Sequence, residues 1–420
     1  MSRARILADY VSSGDELADK LDLSGGAMTG AITTNSTFDG VDVATRDATL
    51  TSTTTLATAA APKASPIFTG VTTAASLVLT PGSAPATTEG AIYYDSATDA
   101  VKIRASTAWE QLSNKFTASG GTETTYSSGG INYKVHTFTT SSFFIPVTAG
   151  SIDVLIVAGG GGGEQKNSSG GAGGGGVLHY THMAVSAQSY TIEIGDGGAG
   201  GVGFAGAAAT NGENTIAFGS TAYGGGVGGH RDSGTAPTAG GSSGGCGGPS
   251  GNSNQTSPAA TQTDRTAQGG IWYGNIGGTS AAAQNYEASG GGGAGAVGLN
   301  GVYATTAGAG GAGIQINIDG NNYYWAGGGG GCGYDEPNGN GGIGGGGGGA
   351  THFAGSYQTN GTGGGSAINS GTAGNWSSTS SDCYGGSGGA NSGGGGGGSY
   401  YNSATGGTGG SGIVIVRYVV

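Results

Sequence analysis

Charge is scarce in this 420-residue chain: Asp, Glu, Lys and Arg make up 9% of it, and 13 basic against 25 acidic residues leave a net charge of −12. Ordinary soluble domains carry about 25% charged residues. Lacking any Lys/Arg cluster, so acidic a chain has no electrostatic means of holding nucleic acid or an anionic membrane. Proline is sparse too, with nine residues and no Gly-X-Y period, which excludes a collagen triple helix. No apolar run approaches the roughly 18 residues of a membrane span. Ile6-Leu7-Ala8 is too short for a signal-peptide core, so no secretory route is expected. The three cysteines, Cys246, Cys332 and Cys383, lie far apart without C-x-x-C or zinc spacing, and free thiols are expected.

Glycine is what the chain has in abundance, with 100 residues. All but 13 of them lie after residue 150, so two regions under different physical rules are expected. The first holds nine of the 13 basic residues and reads as several small modules. Residues 2–22 fit two short amphipathic helices, with Ile6 and Tyr10 on one stripe and a Ser13-Gly14-Asp15-Glu16 capping pattern leading into Leu17 and Leu21 on the next. Stripes this small cannot fold alone and must dock or pair with copies of themselves. Between 23 and 80, Ala27-Met28-Thr29-Gly30-Ala31 matches Ile67-Phe68-Thr69-Gly70-Val71 at an offset of 40 residues. Val43, Leu50 and Ala57 stand at heptad spacing between the copies, which fits a short coiled coil or an extended Thr-rich connector. Residues 81–115 form a further module, read as a β-meander over 89–112.

From 130 to 420 the pattern alternates strands with glycine runs. Strands are expected at Tyr133 to Phe138, Ile152 to Ala158, Tyr190 to Ile194, Thr215 to Phe218 and Ile413 to Tyr418, with a hairpin from Ile314 to Trp325 turning at Asp319-Gly320. The fold class is mainly β, a jelly-roll-like β-sandwich. Runs such as Gly159–Gly163, Gly327–Gly331 and Gly393–Gly398 would be disordered unless their backbones were heavily paired. Several directly continue apolar strands, which favours a packed bundle of three-residue polyproline-II-type helices held by backbone hydrogen bonds.

Segments between the runs are rich in Tyr, Trp, Asn and Ser, a composition suited to adaptable contact surfaces. Trp272, Tyr273, Tyr286, Tyr334, Trp376, Tyr400 and Tyr401 are the candidate binding residues, expected on turns. Catalytic chemistry finds little footing. No G-x-x-x-x-G-K-[ST] string is present, the calcium repeat fails at Gly195-Asp196-Gly197-Gly198, and His179 and His182 are expected on opposite faces of a strand. Asp335 and Glu336 are adjacent, an unsuitable pair for glycoside cleavage, and no enzyme activity, cofactor or metal is expected.

Leu23-Ser24-Gly25-Gly26-Ala27-Met28-Thr29-Gly30, Ala64 to Gly70 and the module from Pro85 to Trp109 resemble recurrent units of bacteriophage tail fibres. Val154-Leu155-Ile156-Val157-Ala158-Gly159-Gly160-Gly161 and Gly409 to Tyr418 resemble the opening and close of the glycine-rich distal domain of such fibres. The resemblance implies a homotrimeric virion protein made in the host cytoplasm. Its N-terminus (Ile6, Tyr10, Leu17, Leu21) would hold a tail, baseplate or adaptor protein, and its polyglycine-II tip would adsorb to a surface glycan or outer-membrane protein. A purely structural shaft and a glycan-cleaving spike are the alternatives.

Overall fold

A computed structural model gives the fold. Before residue 115 it describes residues 37–38, 41–42, 48, 79, 81–82, 89–95, 100–105 and 107–111. From 115 to 420 it describes all but 204–205, 232–235, 249–254, 263–269, 281–285, 335, 352–358, 377–382 and 402–403. The expected helices over 2–22, both copies of the offset-40 repeat and the heptad positions lie outside the described residues. No complete helix is formed among the described residues. The chain divides into two units, Met1–Gln111 and Leu112–Val420.

In the first unit, β1 (Thr37–Phe38) and β2 (Val41–Asp42) pair antiparallel. A four-stranded sheet follows in the order β3 (Pro81–Gly82), β4 (Ile92–Asp95), β5 (Ala100–Ala105), β6 (Ala108–Gln111), of which the last three are the expected meander. Tyr93 meets Trp109 edge to face at 4.6 Å, and Lys102 pairs with Asp95 across the β4–β5 register. These are the cross-strand pairs that stabilise a small sheet.

The second unit is built on two antiparallel sheets. Its strands are β7 (Ala118–Ser119), β8 (Thr122–Ser128), β9 (Ile131–Phe138), β10 (Ser142–Pro146), β11 (Gly150–Val157), β12 (Val177–Val185), β13 (Tyr190–Glu193), β14 (Thr215–Ala217), β15 (Ser220–Ala222), β16 (Gly270–Tyr273), β17 (Ile314–Gln315), β18 (Tyr324–Trp325) and β19 (Ile413–Val419). Five strands run in the order β15-β14-β13-β10-β7 and six in the order β16-β12-β11-β19-β9-β8. One core joins them: Phe144, Ile192 and Ala217 from the first sheet pack with Phe138, Val154, Ile156, Leu178 and Val416 from the second. Tyr180 of β12 and Ser220 of β15 hydrogen-bond across it at 2.7 Å.

The six-stranded sheet is also covered on its other face. Leu155, Val157, Val177, Ile413 and Ile415 pack there against Ile316, Ile318 and Trp325 of the β17–β18 hairpin. Coverage on both faces explains why β11 and β19 read as unbroken apolar runs rather than alternating ones. The hairpin turns where expected, with Gly320 at φ 88° and the Asn321 N–H held by Asp319 Oδ1 at 3.0 Å. Trp325 is fully buried and donates its indole N–H to the Ile316 carbonyl at 3.0 Å.

The strands lead directly into extended glycine segments whose hydrogen bonds follow a rule. Along 170–176, N–H groups 170, 173 and 176 donate to carbonyls 229, 226 and 223 of one neighbouring segment. Groups 171 and 174 donate to 289 and 292 of a second segment, and 172 and 175 to 396 and 393 of a third. The same rotation recurs from 327 to 332, with acceptors 344 and 347, then 311 and 308, then 172 and 169. Ser289, Gly292, Gly328 and Gly396 are among the fully paired inner positions, and every buried backbone group that finds such a partner escapes a desolvation penalty.

The packing that allows this excludes side chains. A Cβ built on Gly346 would stand 2.1 Å from the Gly328 carbonyl oxygen, and one on Gly395 would stand 2.3 Å from that of Ala172. Gly365 has nothing within 4 Å. Gly346→Val and Gly395→Val are each expected to lose about 3 kcal/mol of stability or more by overpacking, whereas Gly365→Ala stays near the native value. Urea unfolding of the three variants checks this.

His136, fully buried, ties the two sheets together. Its Nδ1–H donates to the Gly120 carbonyl at 2.7 Å, so Nε2 accepts from the Tyr418 hydroxyl at 3.0 Å, which in turn accepts from the Ala118 N–H at 3.2 Å. Burial pushes the imidazole below the ordinary histidine value, against the opposing pull of Gly120 and Glu123. The folded state therefore binds a proton less readily than the unfolded chain. The stability from this group is complete above about pH 6.5, the unfolded value, and is lost as pH falls through that value towards the folded one. The melting temperature is expected to drop between pH 7.5 and pH 5.5, and to drop less in His136→Leu.

Candidate functional site

Each glycine segment runs between a sheet end and a remote end, here called the tip. Gly159–Gly163 continues β11 outward to Glu164 and Gln165, and 170–176 returns to β12. Bridges between chain-distant residues fix the tip: Gln165 with Ser399, Ala350 with Ser399, Val202 with Thr405, Gln255 with Ser280, and Tyr384 with both Asn375 and Thr405.

Three of the seven aromatic candidates meet there. Tyr334 lies between Tyr286, at a ring distance of 5.0 Å, and Tyr400, at 5.1 Å. The Arg231 guanidinium covers the outer ring of this row, 3.9 Å from the centroid of Tyr286. Tyr400 is only 8% exposed and packs with Ala288 and Cys332 beneath it. Burial, with the nearby Cys332 and Tyr334, raises its phenol well above the ordinary value, so it stays neutral. Tyr400 thus anchors the row, while the half-buried Tyr286 and Tyr334 carry it towards the surface.

Trp376 and Tyr401 are exposed at the tip, at 37% and 42%. Tyr401 holds a φ of 100°, a conformation uncommon for a non-glycine residue. Trp272 and Tyr273 are placed elsewhere. They belong to β16, the edge strand beside β12, and pack against the two cores at the sheet end, so the turn expected for them is a strand. Pairing of β16 with β12 joins residues 90 to 96 positions apart, which local composition does not reveal.

Two exposed tip aromatics escaped the sequence reading: Tyr303 at 62%, in the turn closed by Val302 and Thr306, and Tyr384 at 44% beside Asn375. Both lie between glycine segments, the same signal that marked the others. Ile6, Tyr10, Leu17 and Leu21 lie outside the described residues, as do Asn252 to Asn254, Gln284 and Asn285, Asp335, and His352 to Tyr357.

The buried thiols around the tip are held in the protonated form. Burial raises the Cys332 thiol and pushes the Cys383 thiol up to about 12, so neither is a thiolate at neutral pH. Glu287 is raised by burial, with Glu336 adding to it. Among the described residues no group of three His, Cys, Asp or Glu side chains could hold a metal.

A family model described as a glycine-rich domain matches residues 134–381. The chain belongs to this glycine-rich domain family. The match begins in β9 and extends past Trp376, so it takes in strands of both sheets and most of the segments that reach the tip. No curated protein matches the sequence.

Within the glycine-rich domain, the division between anchoring and exposed rings has a measurable consequence. Tyr400→Ala is expected to lose roughly 3–5 kcal/mol, the range for emptying a buried aromatic site. Trp376→Ala and Tyr384→Ala should stay within about 0.5 kcal/mol of the native chain. Denaturant unfolding followed by circular dichroism separates the two groups.

Proposed function

We propose that this chain is a homotrimeric bacteriophage tail-fibre protein. Its N-terminal residues, including Ile6, Tyr10, Leu17 and Leu21, attach it to the virion, and its glycine-rich domain adsorbs to the bacterial surface. Convergence of Tyr286, Tyr334 and Tyr400 at the end of the glycine segments remote from the sheets is the observation that carries this reading. A surface of bare backbone has almost no means of telling partners apart, so specificity falls to the side chains gathered at its end. Tyrosines and a tryptophan give contact area at low entropic cost, and the surrounding Asn and Ser match polar groups of a glycan or outer-membrane protein.

The glycine segments are read as polyglycine-II helices emerging from a jelly-roll-like sandwich. Rotation of donors among three neighbours, residue by residue, supports that reading, because a helix of this type has three residues per turn and no internal hydrogen bonds. No catalytic role is proposed.

Labelled full-length protein is expected to bind a subset of a panel of bacterial strains. The scarcity of charge predicts that raising ionic strength weakens this binding little. Exchanging residues 271–289 and 366–384 for those of a related fibre should change which strains are bound. Failure to bind any strain that the parent virion adsorbs to would leave a structural shaft, and new reducing ends on the host polysaccharide would indicate a cleaving spike.

A further inference from the structure

Basic residues are rarest in the glycine-rich part of the chain: after residue 150 there are four, Lys166, Arg231, Arg265 and Arg417, of which Arg265 lies outside the described residues. Arg417 is paired with Asp153 at the sheets. Lys166 and Arg231 lie at the tip, where the Arg231 N–H donates to the Asn167 carbonyl at 3.1 Å and so sets the two cations on adjacent backbone. Lys102, Lys134 and Arg417 each hold a carboxylate, whereas neither tip cation forms an ion pair among the described residues. We propose that Arg231, seated on the row of Tyr286 and Tyr334, binds one oxyanion, a carboxylate or a phosphate, carried by a sugar of the bacterial surface.

Its seat on the ring separates Arg231 from an ordinary surface cation. Cζ stands 3.9 Å from the Tyr286 centroid, so the ring occupies one side of the guanidinium. The N–H donors of a guanidinium lie along its edge, in a fixed fork that matches two oxygens of a carboxylate or phosphate. Contact with the ring restricts the side chain before any ligand arrives, so binding costs less ordering. Arg231 is half-buried, which reduces the screening of its charge while leaving it in contact with solvent.

The acids nearby do not supply the missing partner. Glu164 accepts from the N–H groups of Gln165 and Ala209, each at 3.2 Å, and Glu287 accepts from those of Ala304 and Tyr286. Burial, reinforced by Glu336, also raises the Glu287 carboxyl, so it repels an incoming anion less than an ordinary carboxylate would. Tyr334, 5.0 Å from Tyr286, extends the ring surface against which the body of a sugar can lie. One cation meeting one anion is a small electrostatic contact, so adsorption as a whole still depends little on ionic strength. The inference rests on reading the tip as the binding end, and adds the chemistry of what it binds.

The test is saturation-transfer NMR of the full-length chain with methyl glucuronide, glucose 6-phosphate and, as the neutral control, methyl glucoside. At least one acidic sugar is expected to give a saturable signal that the glucoside does not, and comparison of the two identifies the oxyanion. Arg231→Gln is expected to weaken that binding about tenfold or more, while Lys134→Gln, which removes the same charge at the sheets, leaves it unchanged. If Arg231→Gln does not fold, Arg231→Lys keeps the charge, loses the fork and is expected to weaken binding about threefold or more. The proposal is overturned if neither acidic sugar binds, if the glucoside binds equally well, if the Arg231 variant keeps full affinity, or if Lys134→Gln weakens binding as much. Adsorption to cells separates the two levels: cells bound by the native chain and equally by the Arg231 variant overturn this inference alone, and no binding to any strain removes the reading beneath it.

Discussion

In the glycine segments, a neighbouring carbonyl oxygen stands where a side chain would begin. A Cβ at Gly171 would meet the Gly329 oxygen at 2.0 Å, and one at Gly397 would meet that of Gly348 at the same distance. Backbones can approach this closely only without side chains, and at this distance each N–H finds a carbonyl on an adjacent segment. Glycine makes this geometry possible and also makes it expensive, because no residue loses more conformational freedom on ordering. Regular pairing in all directions offsets that loss. The two sheets solve the remaining problem by fixing the start and register of the segments: Val157 and Ile413 are paired in β11 and β19, and both lead into or out of glycine within two residues.

Order of this kind divides labour within the domain. The sheets bury ordinary apolar side chains, the segments bury backbone, and chemistry with information content is pushed to the ends. At one end the aromatic row from Tyr286 to Tyr400 sits on Cys332 and Ala288. At the other, Arg417, Asp153 and Tyr126 form a polar cluster where the hairpin stops covering the sheet. Buried thiols fit the same logic, since Cys246, Cys332 and Cys383 are free and act as small buried side chains, Cys332 beside Ala288 and Tyr400 and Cys383 beside Ala350 and Ala404.

Much of the strand pattern was legible because apolar runs such as Ile413 to Val416 and alternating ones such as Tyr190 to Glu193 carry their structure locally. The hairpin at Asp319-Gly320 was legible for the same reason. Strands β7, β8, β10, β15 and β16 were not: they are short, polar or bounded by glycine, and their pairing depends on partners distant in sequence. Trp272 and Tyr273 were misplaced on a turn for this reason, whereas Tyr286, Tyr334 and Tyr400 were recognised singly but not as one row. Arg231, which covers that row, sits in a segment with no local signal at all.

Native-state amide hydrogen exchange of the glycine segments tests the central claim most directly. Amides 171–175, 327–331 and 395–398 are fully paired between segments, and the account predicts that they exchange as slowly as those of β11 and β19, opening only with the whole domain. Exchange of these glycines at the rate of an unstructured chain, with the sheets still protected, would contradict it.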